Sequence, residues 1–215
     1  MSLMQLLEKK MALIDIQYLP PLSFFAAIVP HKQIKLEAHE NFVKQTYRNR
    51  AIFLSSQKTD QLTVPLVGAN KKILIKDIKI DNSQMWSVKH WRTLKTCYGK
   101  SPFFEFFADE LHALFLKRYN FLWDLNITFL TNCLDIIRLK VDLTETDSYE
   151  KSVIDNVIDY RSLISPKKPE LVQDFYKPHI YYQNFGSTFE ANLSIIDLIM
   201  NEGPNALKII KESRA

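Results

Sequence analysis

The chain has 215 residues, of which 47% are hydrophobic, 24% are charged and only 4 are glycine. This composition is typical of one folded domain and excludes a disordered chain, and so few glycines argue against a fold built on glycine-rich phosphate loops. The net charge of +4 permits an anionic ligand, but it falls short of the concentrated cationic patches of a nucleic-acid-binding protein.

Targeting signals and disulfide patterns are absent from the sequence. No stretch approaches the roughly 18 apolar residues of a membrane span, and the amino end lacks the apolar core and cleavage site of a signal peptide. The 2 cysteines are too few for a disulfide scaffold. We therefore expect a cytoplasmic protein. Residues 1–11 are predicted to be an N-terminal extension, and its "MSL" start resembles a cloning remnant.

The first predicted elements form the outline of a βαβ unit. The apolar run at 12–21 predicts a strand that ends at two prolines, and 22–29 suits a compact helix. Residues 33–40 alternate apolar and polar side chains, which predicts a second strand. A strand, a short helix and a strand in this order favour a parallel pair.

Further strand patterns precede a helical second half. Segments 51–56 and 61–67 predict a hairpin, and 71–81 alternates like a strand. Apolar positions at helical spacing then predict helices over 83–101, 106–139 (two helices or one bent one), 147–164 (the weakest), 191–203 and 204–213. The predicted fold class is α/β or α+β, with a sheet-rich N-terminal half that begins with a βαβ-like unit and a helical C-terminal half.

The stretch "HENFVKQTYRNR" at 39–50 is the most polar segment of the first half. If it is extended, Lys44, Arg48 and Arg50 share one face, while Tyr47 and Asn49 lie on the other. Arginines at this spacing suit bidentate binding of a phosphate or carboxylate. The alternative is a solvated edge strand whose charges block unwanted pairing.

Histidines and one carboxylate are the candidates for proton transfer. His90 lies in a helical pattern near the boundary between a basic face and an apolar face, and its ordinary pKa suits a general base, although a structural role is the commoner case. Asp197 lies within an apolar helix, where it must be paired or solvated, and an arginine of 39–50 is one candidate partner. No metal-ligand motif accompanies Glu37 and His39, so no metal site is predicted.

Several segments, in this order, resemble the WbqC-like protein family. They are "IQYLPPLSFFAAI", "HENFVKQTYRNRAIFL", "TVPLV", "IKDIKID", "WSVKHWRTLKTCYGKSPFFEFF", "FLWDLNITFL" and "NLSIIDLIMNEGP". The resemblance implies a single domain over 12–207. It also implies a cytoplasmic protein of a family that occurs in gene clusters for O-antigen and other surface polysaccharides, for which aminoacyl transfer to a sugar has been suggested.

The resemblance also points to particular polar positions. The residues that match the family motifs are Gln17, Lys44, Asn49, Arg50, His90, Lys95, Tyr98, His179, Gln183 and Asp197. Ligands of open parallel sheets bind beyond the carboxyl ends of the strands, where Gln17 and His39 would emerge.

Together these observations favour a transferase that acts on a nucleotide-linked sugar or an activated acyl or aminoacyl donor. The predicted catalytic residues are His90 and Asp197. The predicted substrate-binding residues are Gln17, His39, Lys44, Tyr47, Arg48, Asn49, Arg50, Lys95, Tyr98, His179 and Gln183. We expect Gln17, Asn49, Arg50 and His90 to meet in one cleft that binds an anionic small molecule. The sequence does not identify a cofactor or an oligomeric state, and nucleic acid is not an expected partner. The alternative is a non-catalytic protein that binds an anionic metabolite or a partner enzyme.

Overall fold

A computed structural model describes residues 11–56, 58–153 and 156–215. Its main feature is a sheet of four parallel strands, which are β1 (Met11–Asp15), β2 (Gln33–Glu37), β5 (Asp142–Glu145) and β6 (Val157–Asp159), in the spatial order β5-β2-β1-β6. A separate antiparallel hairpin is formed by β3 (Arg50–Leu54) and β4 (Thr59–Thr63).

Six α-helices of the described chain surround these sheets. They are α1 (Leu22–Ile28), α2 (Trp86–Tyr98), α3 (Phe104–Leu116), α4 (Leu122–Ile136), α5 (Ile195–Glu202) and α6 (Ala206–Glu212), with short 3₁₀ turns at Pro169–Val172 and Gly203–Asn205. The predicted mixed α/β class, with sheets mainly in the first half and helices mainly in the second, is confirmed. No helix of the described ranges combines the length and apolarity that a membrane crossing requires.

The first βαβ unit forms because its three segments all bury apolar surface. Every residue of α1 is buried, as expected for a helix that is hydrophobic on all sides. In the sheet, Ala12 pairs with Ile34 and Ile14 with Leu36, and all four side chains are buried on one face. The chain leaves β1 towards β2 on one side, while β6 adds to the other side of β1, so the strand order reverses at β1.

The opposite face of the sheet carries acidic side chains at its carboxyl end. Asp15 and Glu37 are register partners in β1 and β2, and each is the last residue of its strand. Side chains alternate along a strand, so both point away from the apolar face. Both are fully buried, and buried carboxylates require partners.

Three predicted elements differ from the structure. The stretch 41–49 forms turns rather than a strand, with Gln45 at a φ of 58°, so the predicted shared face of Lys44, Arg48 and Arg50 is wrong. Segment 71–81 is not a regular strand, because its backbone bonds to different neighbours one after another, including Phe42 and Glu40. The helix predicted over 147–164 is also wrong, since β6 lies within that segment.

Candidate functional site

Six charged side chains gather at the carboxyl end of the parallel sheet. We call them the carboxyl-edge cluster, and they are Asp15, Glu37, Glu40, Arg48, Asp159 and Arg161. Three of the carboxylates are the last residues of β1, β2 and β6. They meet because parallel strands end at the same edge of the sheet. The cluster therefore lies where strand order reverses, the position at which open α/β sheets bind ligands.

Arg48 joins the turn segment to the sheet. Its Nε lies 2.6 Å from Oε1 of Glu40 and its Nη2 lies 2.7 Å from Oε2, while Nη2 also lies 3.5 Å from Asp15 Oδ2. Burial alone would lower the pKa of Arg48, but the carboxylates of Asp15 and Glu40 outweigh it and raise the pKa. The guanidinium is therefore charged and already paired with protein side chains.

Arg161 links β2 to β6 through ion pairs with Glu37 and Asp159. Its Nη1 donates to Glu37 Oε2 at 2.8 Å, and its Nε and Nη2 donate to Asp159 at 3.0 and 2.7 Å. The hydrogen bonds to Asp159 are the largest cause of a raised pKa for Arg161, which keeps it charged. The guanidinium lies 5.0 Å from the ring centroid of Tyr149.

Glu37 is held by hydrogen bonds on both carboxylate oxygens. Besides Arg161, it accepts from the Thr146 hydroxyl at 2.9 Å and from the backbone N–H of His39 at 2.9 Å. Thr146 follows β5 directly, and its Oγ1 in turn accepts from the backbone N–H of Ala38 at 3.0 Å. Residues at the carboxyl ends of β2, β5 and β6 thus contribute to one hydrogen-bonded network.

A cavity of about 320 Å³ adjoins this network on the acidic face of the sheet. Its charged walls carry both signs, with Lys35 and Arg161 against Glu37, Asp147 and Glu150. Lys35 Nζ lies 3.9 Å from Asp147 Oδ2, and both groups reach solvent. We name this space the sheet cavity. Walls of mixed charge suit a small ligand that carries both an anionic group and an amine.

Two predicted site residues, Gln17 and His39, lie beside the carboxyl-edge cluster. The Gln17 side chain is buried and donates to Asp15 Oδ2 at 3.1 Å and to the Ile164 carbonyl at 3.3 Å. Its Oε1 has no hydrogen-bond partner within the described ranges. His39 Nδ1 lies 3.3 Å from Thr146 Oγ1. Both residues follow the carboxyl ends of their strands, as the sequence predicts.

Three other predicted residues meet at a second buried cluster. Asp197 accepts from the Tyr98 hydroxyl at 3.0 Å, from the Tyr181 hydroxyl at 2.6 Å and from Gln183 Nε2 at 3.4 Å. Burial raises the pKa of Asp197, against the lowering effect of these bonds. The partner predicted for Asp197, an arginine of 39–50, is wrong, because tyrosines and a glutamine take that place. We call these four residues the Asp197 cluster.

His90 is buried between aromatic side chains of the core. Its Nδ1 lies 3.0 Å from the Tyr18 hydroxyl, and its ring packs edge-on against Trp86 with centroids 5.3 Å apart. Burial lowers the pKa of His90 to about 4. The imidazole is therefore neutral at pH 7, and a general base works best when its pKa is near the working pH.

The buried His90 predicts a pH dependence of stability. Its pKa is lower in the folded state than the ordinary value near 6.5, so its contribution is complete above pH 6.5 and is lost as pH falls towards 4. When the pH falls from 7.5 to 4.5, we expect the low pKa of His90 to decrease the free energy of unfolding by about 2 to 3 kcal/mol. Urea titrations of wild type and His90→Gln at both pH values measure this, and an equal pH dependence in the two proteins would refute it.

Tyr47, Asn49 and Arg50 support the hairpin and its neighbours. The Tyr47 carbonyl accepts from the Tyr18 backbone at 2.8 Å, and burial raises the pKa of the Tyr47 phenol to about 12. Asn49 Nδ2 donates to the Val64 carbonyl at 2.9 Å. Arg50 begins β3, and no carboxylate of residues 11–56, 58–153 and 156–215 forms an ion pair with it.

The remaining predicted residues lie at the surface. Lys44 donates to Asn70, Lys95 is exposed in the last turn of α2, and His179 Nε2 lies 3.4 Å from Glu212 Oε2.

The meeting of Gln17, Asn49, Arg50 and His90 in one cleft stays a prediction. Three of these residues contact the end of β4 and the residue after it, since Arg50 pairs with Thr63, His90 bonds to the Thr63 backbone and Asn49 bonds to Val64. Gln17 contacts Asp15 and Ile164, Asn49 contacts Val64, and His90 contacts Tyr18. None of Gln17, Asn49, Arg50 and His90 lines the sheet cavity.

Several residues of the site were missed by sequence reasoning. Among them, Asp15, Asp159 and Arg161 had a detectable signal. An acidic residue at the carboxyl end of an apolar strand indicates a buried polar function, and Asp15 in "ALIDI" fits that pattern. Asp159 and Arg161 in "VIDYR" carry the same signal, which the helix predicted over 147–164 concealed. Within the described residues, no group of three or more histidine, cysteine, aspartate or glutamate side chains is arranged to hold a metal ion.

Comparison with known protein families assigns the chain to one of them. The model of the WbqC-like protein family matches residues 16–168 and 169–209. The chain belongs to the WbqC-like protein family. This WbqC-like protein is also 28% identical over 110 residues to a Mycobacterium tuberculosis protein named Uncharacterized protein Rv1507c. That match covers 51% of this chain and 47% of the mycobacterial protein, so the chain spans about half the length of this relative. No solved structure matches the WbqC-like chain.

Proposed function

We propose that this WbqC-like protein is a cytoplasmic transferase of bacterial surface-polysaccharide biosynthesis that acts on a nucleotide-linked sugar or an activated acyl or aminoacyl donor. The reactive part of the substrate binds in the sheet cavity. The observation that carries the proposal is a fixed network of carboxylates and arginines beside a cavity, at the point where strand order reverses. Family membership is compatible with this pathway.

The charges of the sheet cavity support a substrate with an amine and an anionic group. Arg161 and Lys35 would bind the phosphate or carboxylate, and Asp147 and Glu150 would bind the amine. Glu37 is fully buried behind Arg161 and is a positioning residue, because its contact with Nη1 fixes the direction of the guanidinium. An aminoacyl adenylate or a phosphorylated amino sugar has this combination of charges.

A screen by thermal shift tests the binding step. The probes are a nucleotide-linked neutral sugar, its amino-sugar counterpart, a coenzyme A thioester and free glycine. A ligand at roughly 100 times its Kd stabilises the folded state by about 2.7 kcal/mol. We expect a probe with an amine to raise the melting temperature more than its neutral counterpart. Equal shifts from the two sugars, or none from any probe, would contradict this substrate class.

A variant whose side chain fills the sheet cavity tests whether the probe binds there. Ser148 is exposed in the cavity wall and forms none of the cluster's hydrogen bonds, so Ser148→Trp should leave the fold intact while it blocks the space. We expect the excess shift of the amine-bearing sugar over its neutral counterpart to disappear in Ser148→Trp. It should persist in Thr96→Trp, which places the same bulk on the exposed side of α2. If both variants keep the shift, the ligand binds elsewhere.

The second candidate function is binding without catalysis. The observation that favours it is the pairing of both arginines of the cluster with protein carboxylates. In addition, neither His90 nor Asp197 lines the sheet cavity. Incubation of a binding probe with a suitable acceptor, followed by mass spectrometry, separates the two. A transferred group establishes the transferase, and unchanged probe at saturating protein establishes a binding protein.

A further inference from the structure

A second cavity lies away from the carboxyl-edge cluster and has the opposite electrostatic character. Its volume is about 850 Å³, within the range of small-molecule pockets. Its walls come from the turn after α1, the segment before β5, strand β6 with the residue after it, the turn around Phe175 and the residues at and after the end of α6. We name it the basic cavity.

Four cationic side chains line the basic cavity, and they are Lys32, Lys140, Lys211 and Arg214. The only acidic side chain in its wall is Asp174. None of the four cations forms an ion pair with a carboxylate in the part of the chain that the structure describes. They contrast with Arg48 and Arg161, which form ion pairs with protein carboxylates. Unpaired cations around one concave space attract a multiply charged anion.

Aromatic side chains form part of the same wall. Tyr160 and Phe175 pack edge to face with ring centroids 5.2 Å apart. Tyr160 is mostly buried, and its hydroxyl lies 3.3 Å from His31 Nε2, so its ring is held in place. Phe175 is half-buried and presents apolar surface next to the cations. An aromatic surface beside cations suits a planar group attached to phosphates.

We propose that the basic cavity is a separate binding site for a small molecule that carries a diphosphate, the nucleoside diphosphates being the class that fits both walls. The lysines supply point charges and Arg214 supplies a bidentate fork for the phosphate oxygens. Phe175 contacts the base. The inference does not depend on the proposed transferase chemistry, because none of its cations lines the sheet cavity.

Calorimetric titration at 0.15 M salt tests the proposal with inorganic pyrophosphate, uridine diphosphate and uridine as probes. We expect both phosphate compounds to bind wild type and uridine alone not to bind. The variant Lys32→Glu/Lys211→Glu should lower both affinities by about 100-fold or more, since two charge-assisted contacts are removed. Both lysines are exposed, so the fold should survive.

The matched control is Lys89→Glu/Lys100→Glu, which makes the same change in net charge on exposed positions of α2 and the turn after it. Its affinities should stay within about threefold of wild type, because salt screens distant charges. Equal losses in the two variants, or no binding of either phosphate compound, would overturn the site. Ser148→Trp should not change these titrations, so failure here and failure of the proposed function are distinguishable.

Discussion

Arg48→Ala should lower the free energy of unfolding by about 3 to 5 kcal/mol, the range for removing one partner of a buried ion pair. The guanidinium is 2% exposed and pairs with Glu40 and Asp15. Without it, the Glu40 and Asp15 carboxylates remain in the protein interior without their positive partner. Urea unfolding followed by circular dichroism measures the loss.

Two further variants control this experiment. Arg92→Ala removes an exposed arginine of α2 and should change stability by no more than about 0.5 kcal/mol. Combining Arg48→Ala with Glu40→Gln should cost less than the sum of the single changes, because the contacting residues are coupled. If Arg48→Ala leaves stability unchanged but abolishes binding of the best probe, the residue is a ligand group, as the sequence alone predicts.

Asp197→Ala should have the second-largest effect on stability, about 3 kcal/mol or more. The substitution leaves the hydroxyls of Tyr98 and Tyr181 without their acceptor, and each buried group that loses its partner costs about 1 to 3 kcal/mol. A small cavity also remains in the core, because Asp197 is 1% exposed. The change in the urea unfolding midpoint measures the combined effect.

Asp197→Asn is the matched control for the hydrogen bonds. The amide keeps the volume and one acceptor oxygen, so we expect it to retain most of the stability that Asp197→Ala loses. Asp124→Ala, on the exposed side of α4, controls for loss of a helical carboxylate and should cost less than about 1 kcal/mol. Wild-type stability in Asp197→Ala would show that the tyrosines do not depend on this acceptor.

The local part of the fold was predictable because its signals lie close together in sequence. Alternation in 33–40 and the apolar segments at 12–21 and 22–29 predict β1, α1 and β2, and the βαβ outline places Gln17 and His39 at the carboxyl edge. The hairpin of β3 and β4 follows from two short strand patterns with a turn between them.

The distant pairings were not predictable from spacing. Glu37 and Arg161 are 124 residues apart, and Gln17 contacts Ile164 across 147 residues. Strands β5 and β6 have only 4 and 3 residues and are largely polar or half-buried, so neither shows a strong periodic pattern. Asp159 of the carboxyl-edge cluster comes from β6, and Thr146 after β5 holds Glu37, so one sequence reveals these residues but not their association.

The identity of the anion-binding arginine shows the same limit. The local sequence predicts Arg48 to be a ligand group, whereas its burial and its ion pairs indicate that it links the turn segment to the sheet. Arg161 has no basic neighbours in sequence, yet it faces the sheet cavity. What decides the role of an arginine here is the number of carboxylates around it and its access to a cavity, and neither follows from local spacing.

A crystal structure of the WbqC-like protein with the best amine-bearing probe tests the central proposal most directly. We predict density for the probe in the sheet cavity, with its anionic group within hydrogen-bond distance of Arg161 and its amine beside Asp147 or Glu150. Full occupancy of the probe at any other location, with the sheet cavity holding only solvent, would contradict the account.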